Sequence, residues 1–244
     1  MSLENSHVVV VGGGSGIGRA IVGALVARRA RVTISSRNSG KLNSVASALG
    51  DSVSVAPVDM TDEAAVSDWA TRVGSADHLV ITASSAAHGR FSDLEVSRVR
   101  DMFDSKFFGP YLVAREMLPN LTEGGSVTFF SGVLGRRPGM NCSGLGAVNS
   151  AIEGLTRGLA LELGPGIRVN CCSPGMVRSD AYANMDKDAR EKMYQATGES
   201  LPVQRVGLSG EIAEAVLFLM TNGYTTGVVL DVDGGHMIRQ YAKR

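Results

Sequence analysis

Four valines at 8–11 run directly into Gly12, Gly13, Gly14, Ser15, Gly16, Ile17 and Gly18, and a helical pattern opens near Arg19. Such a run dictates a strand, a tight turn and a helix in immediate succession. Glycine alone lets the backbone turn that sharply and come that close to a ligand. The helix that follows offers unpaired N–H groups and a positive dipole end, which favour a phosphate or pyrophosphate. Gly12, Gly14, Ser15, Gly16, Ile17 and Gly18 are therefore candidate contacts to a dinucleotide.

The rest of the chain repeats the alternation that the glycine turn begins. β-rich runs recur at 8–11, 31–35, 52–55, 78–82, 126–130, 168–171 and 227–232, and stretches of helical periodicity lie between them, among them 20–29, 63–73, 94–121, 144–163 and 210–220. Strands alternating with helices predict a doubly wound, seven-stranded parallel sheet with helices on both faces. Ligands in such sheets bind beyond the carboxyl ends of the strands. An α/β chain of this length, 1–244, reads as a single domain. The stretch 178–206, rich in Met, Tyr, Lys and Asp with a helix-like patch at 186–195, is too long for a plain connection and reads as a substrate-covering lid.

Composition narrows the partners. Lys plus Arg and Asp plus Glu number 24 each, so no net field draws the chain to nucleic acid or an anionic membrane, and a small molecule is the expected ligand. Cys142, Cys171 and Cys172 form no CxxC pair and no metal-ligand spacing, so no metal is expected and a reduced, cytoplasmic setting is. The valine run is too short for a signal peptide or a membrane span.

At the end of the second strand, a site for NAD needs a carboxylate for the ribose 2′-hydroxyl. The chain instead reads Ser35, Ser36, Arg37, Asn38. A guanidinium flanked by hydroxyls suits a 2′-phosphate, so NADP(H) is the expected cofactor, with Ser36, Arg37 and Asn38 as its readers.

These features resemble the short-chain dehydrogenase/reductase family, a Rossmann-type fold, from Val8 to about Met237. Gly12-x-x-x-Gly16-Ile17-Gly18 resembles its cofactor fingerprint, with Val11 where threonine is usual. Asp59 and Met60 match its adenine-contacting segment. Pro174, Gly175, Met176, Val177, Arg178 and Ser179 resemble the loop that holds the nicotinamide amide and phosphates, with Ser179 in a usual threonine place. Thr226-Gly227 and Asp233-Gly234-Gly235 match its C-terminal signature. The strand-four motif reads Ile81, Thr82, Ala83, Ser84 in place of Asn-Asn-Ala-Gly, which adds Ala83 and Ser84 to the expected cofactor contacts. By the same resemblance the chain is expected to be a homo-oligomer, a tetramer.

The family's chemistry uses Ser, Tyr, Lys and Asn. The resemblance places Gly132 at the serine, with Ser131 just before it, Leu145 at the tyrosine, Asn149 at the lysine and Lys106 at the asparagine. Leucine has no proton to give and glycine no hydroxyl to bind the reacting oxygen. Lys106 and Asn149 exchange the cation and the amide between two helices, so Lys106, Ser131 and Asn149 are the candidate catalytic residues. Lys106 is expected to point into the cleft and to bond the ribose hydroxyls or Asn149. Pro110, which lacks an N–H, is expected to bend that helix. Cys142 lies one turn before Leu145, near where enoyl-ACP reductases, an offshoot of the family, place a tyrosine, yet it reads as a buried, inert thiol; His88 could reach the cleft as an acid but reads as a solvated loop side chain, and Tyr182 and Tyr194 sit in the lid, from which a hydroxyl could come.

Two functions fit this pattern. One is an NADPH-dependent reductase of an activated, conjugated small molecule by a non-standard acid mechanism. The other is a non-catalytic NADP(H)-binding pseudoenzyme that acts as a sensor or as a partner subunit.

Overall fold

The computed structural model describes residues 2–82 and 85–239. Seven strands form one parallel sheet: β1 His7–Val11, β2 Arg31–Ser35, β3 Val53–Val55, β4 Ala76–Ile81, β5 Leu121–Phe130, β6 Arg168–Pro174 and, as the last strand of the chain, β9 Val229–Val232. Their order is β3-β2-β1-β4-β5-β6-β9. The winding reverses between β1 and β4, and the crevice beyond their carboxyl ends is where a ligand can enter such a sheet.

Strand β1 shows how one sequence feeds two cores. Val8 and Val10 pack with Ile21, Val22 and Leu25 of α1 (Gly16–Val26) and with Ile212, Val216 and Leu219 of the last helix, α8 (Ser209–Thr221). Val9 and Val11 face the other way, against Val66 and Trp69 of α3 (Glu63–Val73), Val113 and Met117 of α5 (Gly109–Met117) and Ile152 of α6 (Ser143–Leu163). Alternation along the strand and three- to four-residue spacing along each helix produce this sandwich. Helix α1 starts at Gly16, inside the glycine turn and earlier than the apolar pattern suggests. Helix α2 (Ser39–Leu49) is capped by the Asn38 side chain, which accepts from the Lys41 amide at 3.0 Å.

The stretch expected as one bent helix over 94–121 is α4 (Val96–Phe103), a π turn (Asp104–Phe108) and α5. The Gly109 amide reaches back five residues to the Asp104 carbonyl, so the ladder widens by one residue just before Pro110. The interruption that proline forces is thus absorbed as a π turn that carries Lys106 inward.

The excursion after β6 is framed by two short parallel strands, β7 (Val177–Arg178) and β8 (Gly207–Leu208), with α7 (Lys187–Glu199) between them. The Asp186 side chain caps α7 by accepting from the Ala189 amide at 2.9 Å. Among the described residues, no helix is long and apolar enough to cross a membrane.

Candidate cofactor site and active site

The glycine turn is shaped by contacts that no side chain could share. Gly12 and Gly16 have φ of +98° and +52°, the left-handed region. A Cβ on Gly18 would lie 2.1 Å from the Gly12 carbonyl oxygen and 2.9 Å from Thr82 Oγ1. The turn opens a cleft of about 480 Å³ beyond β1, β2 and β4. Gly12, Gly14, Ser15, Gly16, Ile17, Gly18, Ser36, Arg37, Asn38, Asp59, Met60 and Ser179 all line it, so twelve sequence-predicted contacts converge on one space. Ala83 and Ser84 lie outside the described residues. Pro174, Gly175 and Val177 do not line the cleft. They form the β6–β7 connection, where Val177 is buried and a Cβ on Gly175 would press within 2.9 Å of Asp233 Cα.

At one end of the cleft, Arg37 and Lys41 bring two cations beside the Ser36 hydroxyl and the exposed start of α2. The Asp59 carboxyl is held below its ordinary range by the Thr61 amide, at 3.1 Å, with the Thr61 hydroxyl and the Arg37 charge adding to the effect. Across the glycine turn, the Asp180 carboxylate accepts a hydrogen bond from the Gly16 amide at 3.1 Å. An oxygen anion thus already sits on the N-terminus of α1, the position where a phosphate oxygen would bind. The residue types and this stand-in fit a dinucleotide whose phosphates rest on the glycine turn and whose 2′ substituent meets Arg37 and Lys41.

Lys41, Asp180, Thr82, Ser85 and Ser105 were not singled out as cofactor contacts by sequence reasoning. Lys41 could have been found, because Asn38 is an evident helix cap and the third residue after a cap lies on its first turn. Asp180 carries no such signal, being one of several acids in a long excursion.

The expected catalytic residues lie deeper, behind the end of β5. Lys106 is buried, and its ammonium donates to the carbonyls of Ser131 and Phe130 at 3.3 and 3.5 Å. Burial pushes it down to about 8. The expectation placed Lys106 against Asn149 or a ribose, whereas its protein partners here are the two strand-end carbonyls. Ser131 Oγ donates to Glu153 at 3.2 Å, and this buried carboxylate is also held by Arg136, which in turn pairs with Asp231. Asn149 is buried beside Gly132, where a Cβ would lie 3.2 Å from Asn149 Nδ2. Its Oδ1 has no hydrogen-bond partner among the described residues. Leu145 is buried with Ala87, Met102 and Val148.

Two side chains read as unrelated come together. His88 Nδ1 and Cys142 Sγ are 3.4 Å apart. Tyr182 and Tyr194 meet edge to face at 6.1 Å between centroids, and the Arg178 guanidinium lies 4.7 Å from the centre of the Tyr194 ring. Burial raises the Tyr182 hydroxyl, with Tyr194 and Cys142 contributing. Among the described residues, no group of three His, Cys, Asp or Glu side chains could hold a metal ion.

Known proteins are similar to this one over nearly the whole chain. The family model described as enoyl-(acyl carrier protein) reductase matches residues 12–237. A short-chain dehydrogenase/reductase, ucsE, from Acremonium sp is 30% identical, with 97% of each chain covered. The galactitol 2-dehydrogenase (L-tagatose-forming) of Cereibacter sphaeroides is 34% identical over 97% of this chain and 96% of its own. A small-chain dehydrogenase whose crystal structure was solved in complex with NADPH superposes with a TM-score of 0.80 at 38% identity, covering 95% of this chain and 98% of its own. With the sheet order, the glycine turn and these matches in agreement, the chain belongs to the short-chain dehydrogenase/reductase family.

Proposed function

We propose that this protein is an NADP(H)-dependent oxidoreductase that reduces a conjugated small-molecule carbonyl without the family's serine, tyrosine and lysine. The observation that carries the cofactor choice is the end of β2, where Arg37 and Lys41 line the cleft with Ser36 and no carboxylate follows the strand. Two cations and a hydroxyl stabilise a phosphate dianion, whereas a bare ribose hydroxyl would leave them without an anion. The NADPH complex of the structural relative is consistent with this choice.

When bound, the cofactor exchanges two electrons and a proton with a substrate carbon. The chain's residues do the rest. The glycine turn and the α1 N-terminus hold phosphate oxygens, Asp59 and Met60 border the adenine end, and the 178–206 excursion serves as a lid. At the family's catalytic positions stand Gly132, Leu145, Asn149 and Lys106, so an ordinary ketone finds no tyrosine proton. A conjugated system can accept electrons at carbon and delay its proton, and for this reason it suits the site better. Lys106 fixes the Phe130 and Ser131 carbonyls and thereby the backbone that leads into Gly132. The empty hydroxyl positions favour a second reading, a non-catalytic NADP(H) sensor or partner subunit.

Calorimetry with NADP⁺ and NAD⁺, followed by NADPH oxidation against enones, ketones and imines, separates the readings. We expect tight NADP⁺ binding, weaker NAD⁺ binding and turnover confined to enones. Tight binding with no NADPH oxidation by any class would establish the second reading instead. A homo-oligomer is part of the proposal, because Phe108 and Tyr111 beside α5 and Leu161 on α6 are large apolar side chains left in solvent. Light scattering that gives a monomer at micromolar concentration would remove it. Three free cysteines suit a reduced, cytoplasmic setting.

A further inference from the structure

Two serine hydroxyls from segments 20 residues apart meet on the wall of the cofactor cleft. Ser85 comes from the loop after β4 and Ser105 from the π turn between α4 and α5, and both line the cleft with Thr82, Met60 and Phe130. Their oxygens lie 2.6 Å apart, and the Ser85 amide also donates to Ser105 Oγ at 3.3 Å. Neighbouring helical residues point roughly a quarter turn apart. The π turn thus sends Ser105 to the cleft and Lys106 to the carbonyls of Phe130 and Ser131. Both ends of the pair are anchored in one apolar cluster, since Ala87 of the Ser85 loop and Met102, one turn before Ser105, are buried together with Leu145 and Val148.

Counting protons fixes what the pair offers a ligand. A serine hydroxyl has one proton to give and two lone pairs that accept. Ser105 Oγ lies 3.2 Å from the Met102 carbonyl, which can only accept, so the Ser105 proton goes there. The 2.6 Å contact then takes the Ser85 proton. With the Ser85 amide, Ser105 Oγ accepts twice, donates once and is saturated. No other assignment satisfies all three contacts. Ser85 Oγ has spent its proton within the pair and keeps both lone pairs, on a residue that is exposed to the cleft. The wall at this point is therefore an acceptor without a proton. A phosphate oxygen would find nothing there to bond, whereas a sugar hydroxyl has a proton to give.

We propose that Ser85 Oγ accepts a hydrogen bond from a ribose hydroxyl of the bound dinucleotide, and that Ser105 is the positioning residue that turns the Ser85 lone pairs toward the cleft. The contact rests on the dinucleotide reading of the cleft and not on turnover, so it belongs equally to an oxidoreductase and to a sensor. Its role differs from that of Arg37 and Lys41. Those cations meet the 2′ substituent that separates the two cofactors, while the serine pair serves the sugar that both cofactors share.

Calorimetry tests this. Ser85→Ala should weaken NADP⁺ and NAD⁺ by the same factor, about fivefold for one lost hydrogen bond. Raising the salt should leave that factor unchanged, because no ion pair is broken. Ser85→Thr should restore the affinity, and the melting temperature of Ser85→Ala should equal that of the wild type. Ser105→Ala should cost about twofold alone and nothing further once residue 85 is alanine, the non-additivity of a relay. The hypoxanthine and acetylpyridine analogues of NAD⁺, which lack the amino group at one end or the other, should show the same cost from Ser85→Ala. With 2′,5′-ADP as the probe, a cost that persists assigns the adenine-side ribose, and one seen only with whole dinucleotides assigns the nicotinamide-side ribose. A cost confined to NADP⁺, erased by salt or lost with either analogue would give the serine to a phosphate or an amino group and overturn the proposal. Wild-type affinity of Ser85→Ala for both cofactors would overturn it alone, whereas a wild type that binds neither would overturn the cofactor reading as well.

Discussion

Lys106 shows what a single residue can cost and supply. Its ammonium satisfies two carbonyls at the end of β5, yet burial holds the amine at about 8 against an ordinary 10.5. Between those values the unfolded chain binds the proton and the folded one has released it, so stability rises with pH across the window. Compared with Lys106→Met, the wild type should gain on the order of 3 kcal/mol as pH climbs from about 8 to 10.5. Urea unfolding of both proteins at several pH values reads this, and parallel curves would show that the amine is not held down by burial. At the other end of the cleft, Arg37→Ala and Lys41→Ala should each weaken NADP⁺ at least tenfold and leave NAD⁺ unchanged, as measured by calorimetry. The glycine turn and Arg37 were legible from residue types alone, since backbone geometry and charge act locally. The partners of Lys106 were not, because they are backbone carbonyls of a strand 24 residues away, and no spacing in the chain reports which strand end a helix will cover.

Among the elements, the interrupted α4–α5 helix ties packing to the site. Gly109 closes the π turn where α5 passes the Asp59–Met60 loop, and a Cβ there would meet Met60 Cγ at 2.7 Å and the Met60 carbonyl oxygen at 3.2 Å. Gly109→Ala should therefore lower stability by about 1–3 kcal/mol through overpacking. By displacing Met60 it should also weaken NADP⁺ binding. Thermal melting and calorimetry check the two effects separately, and unchanged values in both would show that the loop yields freely. Pro110 announced an interruption in the sequence, but a bend and a π turn carry the same signature until the neighbouring loop is known. The strands were readable because short β-branched runs leave few alternatives, as the valines of β1 and Val32, Thr33 and Ile34 of β2 show. The β7–β8 pair was not, since two-residue strands are set by the contact itself.

At the scale of the molecule, the order β3-β2-β1-β4-β5-β6-β9 puts the phosphate cradle and the strand-end polar cluster on the same rim of the sheet. The 178–206 excursion leaves that rim at β7, returns at β8 and lays Asp180 on the Gly16 amide. A tethered carboxylate in that position is an internal competitor whose effective concentration is set by the length of its loop, not by the solution. If a cofactor phosphate takes the same amide, the carboxylate must leave first, and apparent affinity is then reduced to the fraction of molecules in which it has done so. Stopped-flow binding should then show an observed rate that rises with NADP⁺ and levels off at the rate of loop release. In Asp180→Ala the plateau should vanish and the association rate should stay proportional to concentration, while an identical plateau in both proteins would assign the slow step elsewhere. The tempo of this protein would accordingly be set by how long one carboxylate rests on one amide.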